Sequence, residues 1–573
     1  MTSMQRLTEA DAVARLTRRD ATLFSADPAV VAQVAPWMGW VGLAGASAGI
    51  AQRVAELAAV LRAEGTTDAV LLGMGGSSLA SIVLSQVLGT APGGVRLHVL
   101  DTTCPETVLA VADAVQPGST VVLVSSKSGG TIEPLSLYAV FRERFDAALG
   151  REAAGRRFVA LTDPGSGLER LAGTDGFADV LPTPADVGGR YSALTAFHLL
   201  PAALLGHDVH ELLRRAGAMD AACCCGGVTA PGAVLAAFIG DSAAAGRDKL
   251  TVVASPALTP LGLWVEQLVG ESLGKLGKGV VPVVADGARS LVGADDDRAV
   301  VVVRFADETG LADEVRTHAP HAPLLEIVLA DGLAVAAEFV RWEYATALAG
   351  FLIGVNPFDQ PNVAEAKAAT GAIMDGSLPV PPSIHRTEGS LAYASGLASA
   401  STTPEDLAIC ALQTMRDGDY LGVLAYVPET PEGVSPLQVA ADAVGWATGK
   451  AVTFELGPRY LHSTGQLHKG GPATGVFAMV LSAPGADVAV PGASHTLGEL
   501  FRAQAFGDFA TLAAHGRPVF LLELTSPETG GIERFAATLA DAAERIVRAR
   551  AQTSSTTSAP STTPSDSSTT ATE

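Results

Sequence analysis

The segment GLWVEQLVGESLGKLGKG (262–279) places a carboxylate, an amide, a hydroxyl and two ammonium groups close together in the chain. Glu271 follows Gln267 by one helical turn, adjoins Ser272 and precedes Lys275 and Lys278. Residues four apart share a helix face. The carboxylate and the amide therefore stand side by side, where an apolar helix gives way to glycine and lysine. A carboxylate held there could move a proton on a bound anion. The same residues also describe a helix end with an exposed glutamate and solvated lysines.

A second chemical segment is VVLVSSKSGGTIEPLSL. A strand ends at Val124 and a helix begins near Glu133, with Ser125, Ser126, Lys127, Ser128, Gly129, Gly130 and Thr131 between them. Hydroxyls and free N–H groups at a helix start can saturate phosphate oxygens, and a lysine and the helix dipole offset the charge. A serine-rich N-cap would need only one of those hydroxyls. GxxxxGK[ST] is absent, so a monophosphate suits the loop better than a nucleoside triphosphate. LLGMGGSSLASIVL resembles it more weakly: Gly73, Gly75, Gly76, Ser77 and Ser78 lie at a strand-to-helix turn, but not as GxGxxG. In DVGGRYS, Gly188 and Gly189 would let Arg190 reach a cleft, although a surface arginine reads the same way. FDQPNVAEAK sets Gln360 and Lys367 seven apart, on one helix face, or simply caps a helix.

The elements that must position these groups follow from hydropathy. Residues 1–45 read as a helical lead-in. Short Val- and Leu-rich runs then alternate with amphipathic stretches: AVLLG, RLHVL, TVVLVS, RFVALT and ADVL, then LTVVA, VVVVRF and LLEIVL. That rhythm predicts α/β architecture, with two doubly wound parallel-sheet domains over 46–225 and 226–388. GSLAYASGLASASTTPED (389–406) reads as a linker or boundary. YLGVLAYV, VTFEL, VFAMVLSA and PVFLLEL predict a third α/β region over 389–550. The Ser/Thr-rich tail, 551–573, is expected to be disordered.

Bulk properties exclude several classes. The 573 residues are 48% hydrophobic and 17% charged, as in globular proteins with sizeable cores. A net charge of −22 repels nucleic acid and anionic membrane, so neither is expected as a partner. Positive potential for an anionic ligand must then be built locally. Five cysteines, with Cys223, Cys224 and Cys225 consecutive, make no disulfide framework. No CxxC or HExxH appears, and no metal or cofactor is expected. No apolar run approaches a membrane span and the N-terminus lacks a secretory core, so a cytoplasmic protein is expected.

Taken in order, GMGGSS, SSKSGGT, VGGRYS, QLVGESLGK and FDQPNVAEAK resemble the phosphoglucose isomerase family. From near residue 10 to about 545 the chain also resembles the isomerase half of fused transaldolase–isomerase proteins, including YLHSTGQLHKGGPATGVF and AQAFGDFATLAAHGRPV. The transaldolase half is absent, so only isomerase activity is implied. The resemblance implies two sugar-isomerase (SIS) domains and a homodimer acting on a small sugar phosphate. It implies interconversion of glucose 6-phosphate and fructose 6-phosphate, without a metal. Ser126, Ser128 and Thr131 would hold the phosphate, with Lys127 adding backbone and charge, and Gly76 and Ser77 nearby. Glu271 would be the base, Gln267 would orient the sugar and Arg190 would face the enediolate. Gln360 and Lys367 would sit at the ring oxygen and phosphate side.

One part departs from the family pattern. A histidine in a GQH segment ordinarily lies between the base and the FDQ motif, and residues 272–359 hold no such segment. STGQLHKGG comes after FDQ instead, which makes His468 the candidate, reaching the site from the third region or from a partner subunit, and His462 its rival. Otherwise ring opening relies on Lys367 or on spontaneous opening in solution. His198, His207, His210 and His495 read as structural or surface residues. The same constellation would serve a dual phosphoglucose/phosphomannose isomerase, since an enediol loses C2 stereochemistry. A non-catalytic sugar-phosphate sensor is the alternative of another class, though it would have no need of Glu271.

Overall fold

The computed structural model describes residues 1–397, 403–527 and 530–556, with side chains to residue 549. Its α/β architecture is built on three sheets. The first comprises β1 (Asp68–Leu72), β2 (Arg96–Leu100), β3 (Thr120–Ser125), β4 (Phe158–Thr162) and β5 (Asp179–Pro182). All its pairings are parallel, in the order β2-β1-β3-β4-β5. Side chains alternate between the faces of a strand. On β1, Ala69 and Leu71 enter one core while Val70 and Leu72 enter another. Burial on both faces explains why these strands read as unbroken apolar runs.

The second sheet, also parallel, comprises β6 (Lys249–Ala254), β7 (Val281–Ala285), β8 (Arg298–Phe305) and β9 (Leu324–Leu329), ordered β7-β6-β8-β9. Strand β7 was not expected, because VPVVA carries Pro282. The proline is tolerated because β7 lies at the sheet edge and pairs with β6 alone.

The third sheet comprises β10 (His385–Arg386), β11 (Ser390–Ser395), β12 (Tyr420–Tyr426), β13 (Ala451–Leu456), β14 (Gly475–Leu481) and β15 (Val519–Leu524), ordered β10-β11-β15-β14-β12-β13. Strand β11 occupies the first third of the stretch expected to be a linker, running antiparallel to β15. Its alternation suits that place: Ala392 is buried in one of the sheet's two cores and Tyr393 in the other. The last helix runs Gly530–Thr556, past the expected start of the tail, and the rest of that tail (557–573) lies outside the described residues. On one face of this sheet, Val281 and Val283 of β7 join Leu461, Leu467, Tyr426 and Phe506 in a shared core. The third sheet is thus bound to the second by apolar burial.

Candidate active site

Strand β1 lies between β2 and β3, so chain direction across the sheet reverses there. Ligand crevices in open parallel sheets form at the carboxyl ends of strands at such points. The two serine-rich turns meet here: Ser125 Oγ donates to the carbonyl of Ser77 at 2.9 Å. In the loop, Gly129 has φ +66°, a conformation that favours glycine. The turn brings Ser126 Oγ to 3.1 Å from Thr131 Oγ1, and the helix Ile132–Leu149 begins immediately after. Lys127 is directed elsewhere. Its Nζ lies 2.5 Å from Asp163 Oδ2 and donates to the carbonyls of Pro184 and Ala185, so its charge is largely neutralised within the fold.

The glycines before Arg190 serve a close approach. A Cβ on Gly76 would stand 2.2 Å from the carbonyl carbon of Gly189, so the first serine turn and the arginine loop touch through backbone alone. The Gly76 carbonyl accepts from Ser192 Oγ at 2.9 Å and lies 3.0 Å from His198 Nε2, which gives His198 a structural place.

Arg190 is buried, and every one of its N–H groups has an acceptor. Nε donates to Ser272 Oγ (2.7 Å), Nη1 to Glu271 Oε1 (3.0 Å) and Gln360 Oε1 (2.5 Å), and Nη2 to the carbonyls of Pro357 (2.7 Å) and Asp359 (3.0 Å). One planar group therefore joins the Glu271 helix, Leu261–Leu273, to the loop before the helix Pro361–Met374. Glu271 is 5% exposed. Burial pushes its carboxyl above the usual range, against the opposing pull of Arg190, Lys275 and His462. Burial likewise brings the Lys275 ammonium down to about 8, with Arg190 adding to the effect and Asp359, at 2.7 Å, opposing it.

A cavity of about 280 Å³ opens beside this cluster. Ser128, Gly130, Thr131 and Glu133 line it from the first sheet's loop, Lys367 from the Pro361–Met374 helix, and His462 and Gln504 from the third region. Gln267 ties it to the Glu271 helix, since its Nε2 donates to the His462 carbonyl at 2.7 Å. Glu271, Arg190, Gln360, Ser126, Gly76 and Ser77 are not among its lining residues. Of the two histidines weighed from the sequence, His462 is therefore the one at the cavity. His468 is buried in the third sheet's core, its Nε2 3.1 Å from Glu455 Oε1 and its ring 4.9 Å from Phe477. The turn at Arg459–His462 precedes the helix Gly465–Gly470, whose buried face carries His468 away from the cavity.

Two residues at the cavity were not singled out from the sequence. Glu133 Oε1 lies 2.8 Å from His462 Nε2 and accepts from Gln504 Nε2 at 2.8 Å, while its Oε2 is buried without a partner. Burial pushes the Glu133 carboxyl up, but His462, with a smaller effect from Lys367, outweighs this and holds it below the usual range. An acid in a first helical turn is a common dipole partner, so nothing local distinguished it. Gln504 is held in turn by Thr103 Oγ1, which donates to its Oε1 at 2.7 Å. A lone glutamine within a long helix carries no signal of its own.

No group of three or more metal-ligating side chains suited to an ion occurs among the described residues. No helix among them is long and apolar enough to cross a membrane.

The phosphoglucose isomerase family profile matches residues 58–284. The chain is 33% identical over 375 residues to a glucose-6-phosphate isomerase of Rubrobacter xylanophilus, covering 56% of this chain and 85% of that protein. A glucose-6-phosphate isomerase of Symbiobacterium thermophilum is 30% identical over 377 residues, covering 56% and 83%. Among solved structures, a hypothetical protein of Thermus thermophilus superposes with a TM-score of 0.56 at 25% identity, over 65% of this chain and 96% of that one. A glucose-6-phosphate isomerase of Chlamydia trachomatis shares the fold, with a TM-score of 0.51 at 19% identity over 65% and 84%. The matched span of the profile contains both serine turns, Arg190 and Glu271, and with the long alignments to named relatives it places this chain in the phosphoglucose isomerase family.

Proposed function

We propose that this protein interconverts glucose 6-phosphate and fructose 6-phosphate through a cis-enediol(ate), with Glu271 as the base. The observation that carries this reading is Glu271 itself: a buried carboxylate, raised in pKa by that burial, held 3.0 Å from the Arg190 guanidinium. A raised pKa strengthens a carboxylate as a base near neutral pH.

The phosphate would enter the cavity against Ser128, Thr131 and the loop N–H groups, with Lys367 supplying charge. Ring opening needs a proton at O5 and loss of one from the O1 hydroxyl, as the C1–O5 bond breaks and C1=O1 forms. His462 fits this exchange. With Glu133 ionised, Nε2 carries the hydrogen toward the carboxylate and Nδ1 is left as the acceptor. Glu271 then removes the C2 proton of the aldose, the C–H electrons form C1=C2, and O1 takes up negative charge. Arg190 stabilises that oxyanion from a position fixed before the reaction. Proton shift from O2 to O1 and return of the proton from Glu271 to C1 complete the ketose.

The test is a coupled assay on the full chain with fructose 6-phosphate, alongside the Glu271→Gln variant. Turnover should fall roughly 10³-fold or more while sugar-phosphate binding persists. Near-normal turnover in that variant would remove Glu271 from the chemistry.

A further inference from the structure

Gln466 is fully buried between the two helices that carry the proposed chemistry. Its Oε1 accepts from the Asn362 backbone N–H at 2.8 Å, and its Nε2 donates to the Gly274 carbonyl at 3.1 Å and to Asn362 Oδ1 at 2.7 Å. Gly274 caps the Leu261–Leu273 helix just beyond Glu271. Asn362 lies in the first turn of the helix that follows Gln360 and bears Lys367. One amide thus joins the end of one helix to the start of the other.

The fit leaves little slack. A Cβ on Gly274 would stand 2.5 Å from Leu467 Cα, and one on Gly470 would stand 2.4 Å from Asn362 Oδ1. The Gly470 carbonyl also accepts from the Gly277 N–H at 2.9 Å. On its far side the segment is fixed to the third region. Arg517 donates to the carbonyls of His468, Lys469 and Gly471 at 3.0, 2.9 and 2.8 Å, and buried Lys469 lies 2.5 Å from Asp508.

We infer that Gln466 is a positioning residue. It sets the separation of Glu271 from Gln360 and Lys367, and through it the third sheet acts as a latch on the reacting end of the site. This rests on the isomerase reading. The amide must both donate and accept: a glutamate at this position would face two acceptors, and a methionine would fill the space without polar contact.

The experiment uses the full chain carrying Gln466→Met, Gln466→Glu, Asn362→Leu, or Gln466→Met with Asn362→Leu. It reads kcat, KM and Tm, and, by calorimetry, the affinities of arabinonate 5-phosphate and inorganic phosphate. The aldonate's carboxylate imitates the enediolate end, whereas phosphate reports only the loop. A misplaced reacting end should lower kcat roughly 10–100-fold. Aldonate affinity should weaken in step, phosphate affinity should stay within about twofold, and the double variant should be no worse than either single one. Unchanged kcat in folded Gln466→Met, or equal weakening of both anions, overturns the inference. Should the Gln466 variants fail to fold, Asn362→Leu must show the same split between the anions, or the inference fails. Calorimetry needs no turnover, so an inactive parent protein would refute the isomerase reading while leaving the latch separately decided.

Discussion

His462 Nε2 and Glu133 Oε1 lie 2.8 Å apart, although 329 residues separate them in the chain. Glu133 belongs to the first turn after the serine loop, and His462 to a turn of the third region. Their contact joins the serine-loop side of the cavity to the side walled by the third region. Replacing His462 by alanine should lower kcat/KM for glucose 6-phosphate roughly 100-fold, the scale of one lost acid–base group. Glu133→Gln should lower it less, by loosening the imidazole's orientation. His468→Ala, remote from the cavity, should not produce the same kinetic loss in the protein that remains folded. Steady-state kinetics on the three variants checks this ordering.

The two lysines near the loop should behave differently. Lys367 lines the cavity, whereas the Lys127 ammonium is engaged by Asp163. Lys367→Met should raise the inhibition constant of inorganic phosphate by about tenfold or more, as for a lost charge-assisted contact. Lys127→Met should change it by less than about threefold. Competitive inhibition by phosphate, measured at fixed ionic strength, separates the two.

The pH profile should carry the imprint of Glu271's burial. The base must be ionised to act, and its folded pKa lies above the ordinary carboxylate range. Activity should therefore fall as pH drops through that raised value, at higher pH than for an exposed glutamate. Lys275 opposes the shift, so Lys275→Met should move the acid limb of kcat further upward. A limb that stays fixed, or moves down, would contradict the assignment.

Gly76 offers a test of stability rather than chemistry. Gly76→Ala would force a methyl group into the Gly189 backbone at 2.2 Å. Backbone cannot yield as a side-chain tip does, so the cost should reach about 1–3 kcal/mol or more. Denaturant unfolding monitored with the parent protein alongside would show a lowered midpoint.

Much of this was legible in the sequence because the relevant signals are local. The runs that became β1 and β3 are apolar on both faces, and the turns after them announce themselves by serine and glycine. Pro282 concealed β7, since edge pairing is a tertiary fact that propensity does not record. Strand β11 was hidden in the same way: small residues resemble a linker until β15 pairs with them. At the site, Glu133, Gln504 and Gln466 gave no local sign, because their importance comes from partners distant in sequence. His462 and His468 were separable only in three dimensions, by the turn that sends one toward the cavity and the other into the third sheet's core.

The cavity wall has a consequence for how local melting would be felt. Ser128, Lys367 and His462 come from stretches far apart in the polypeptide. Loosening of any one of the three stretches dismantles the wall, so sugar-phosphate affinity should fade no later than the first of them to melt.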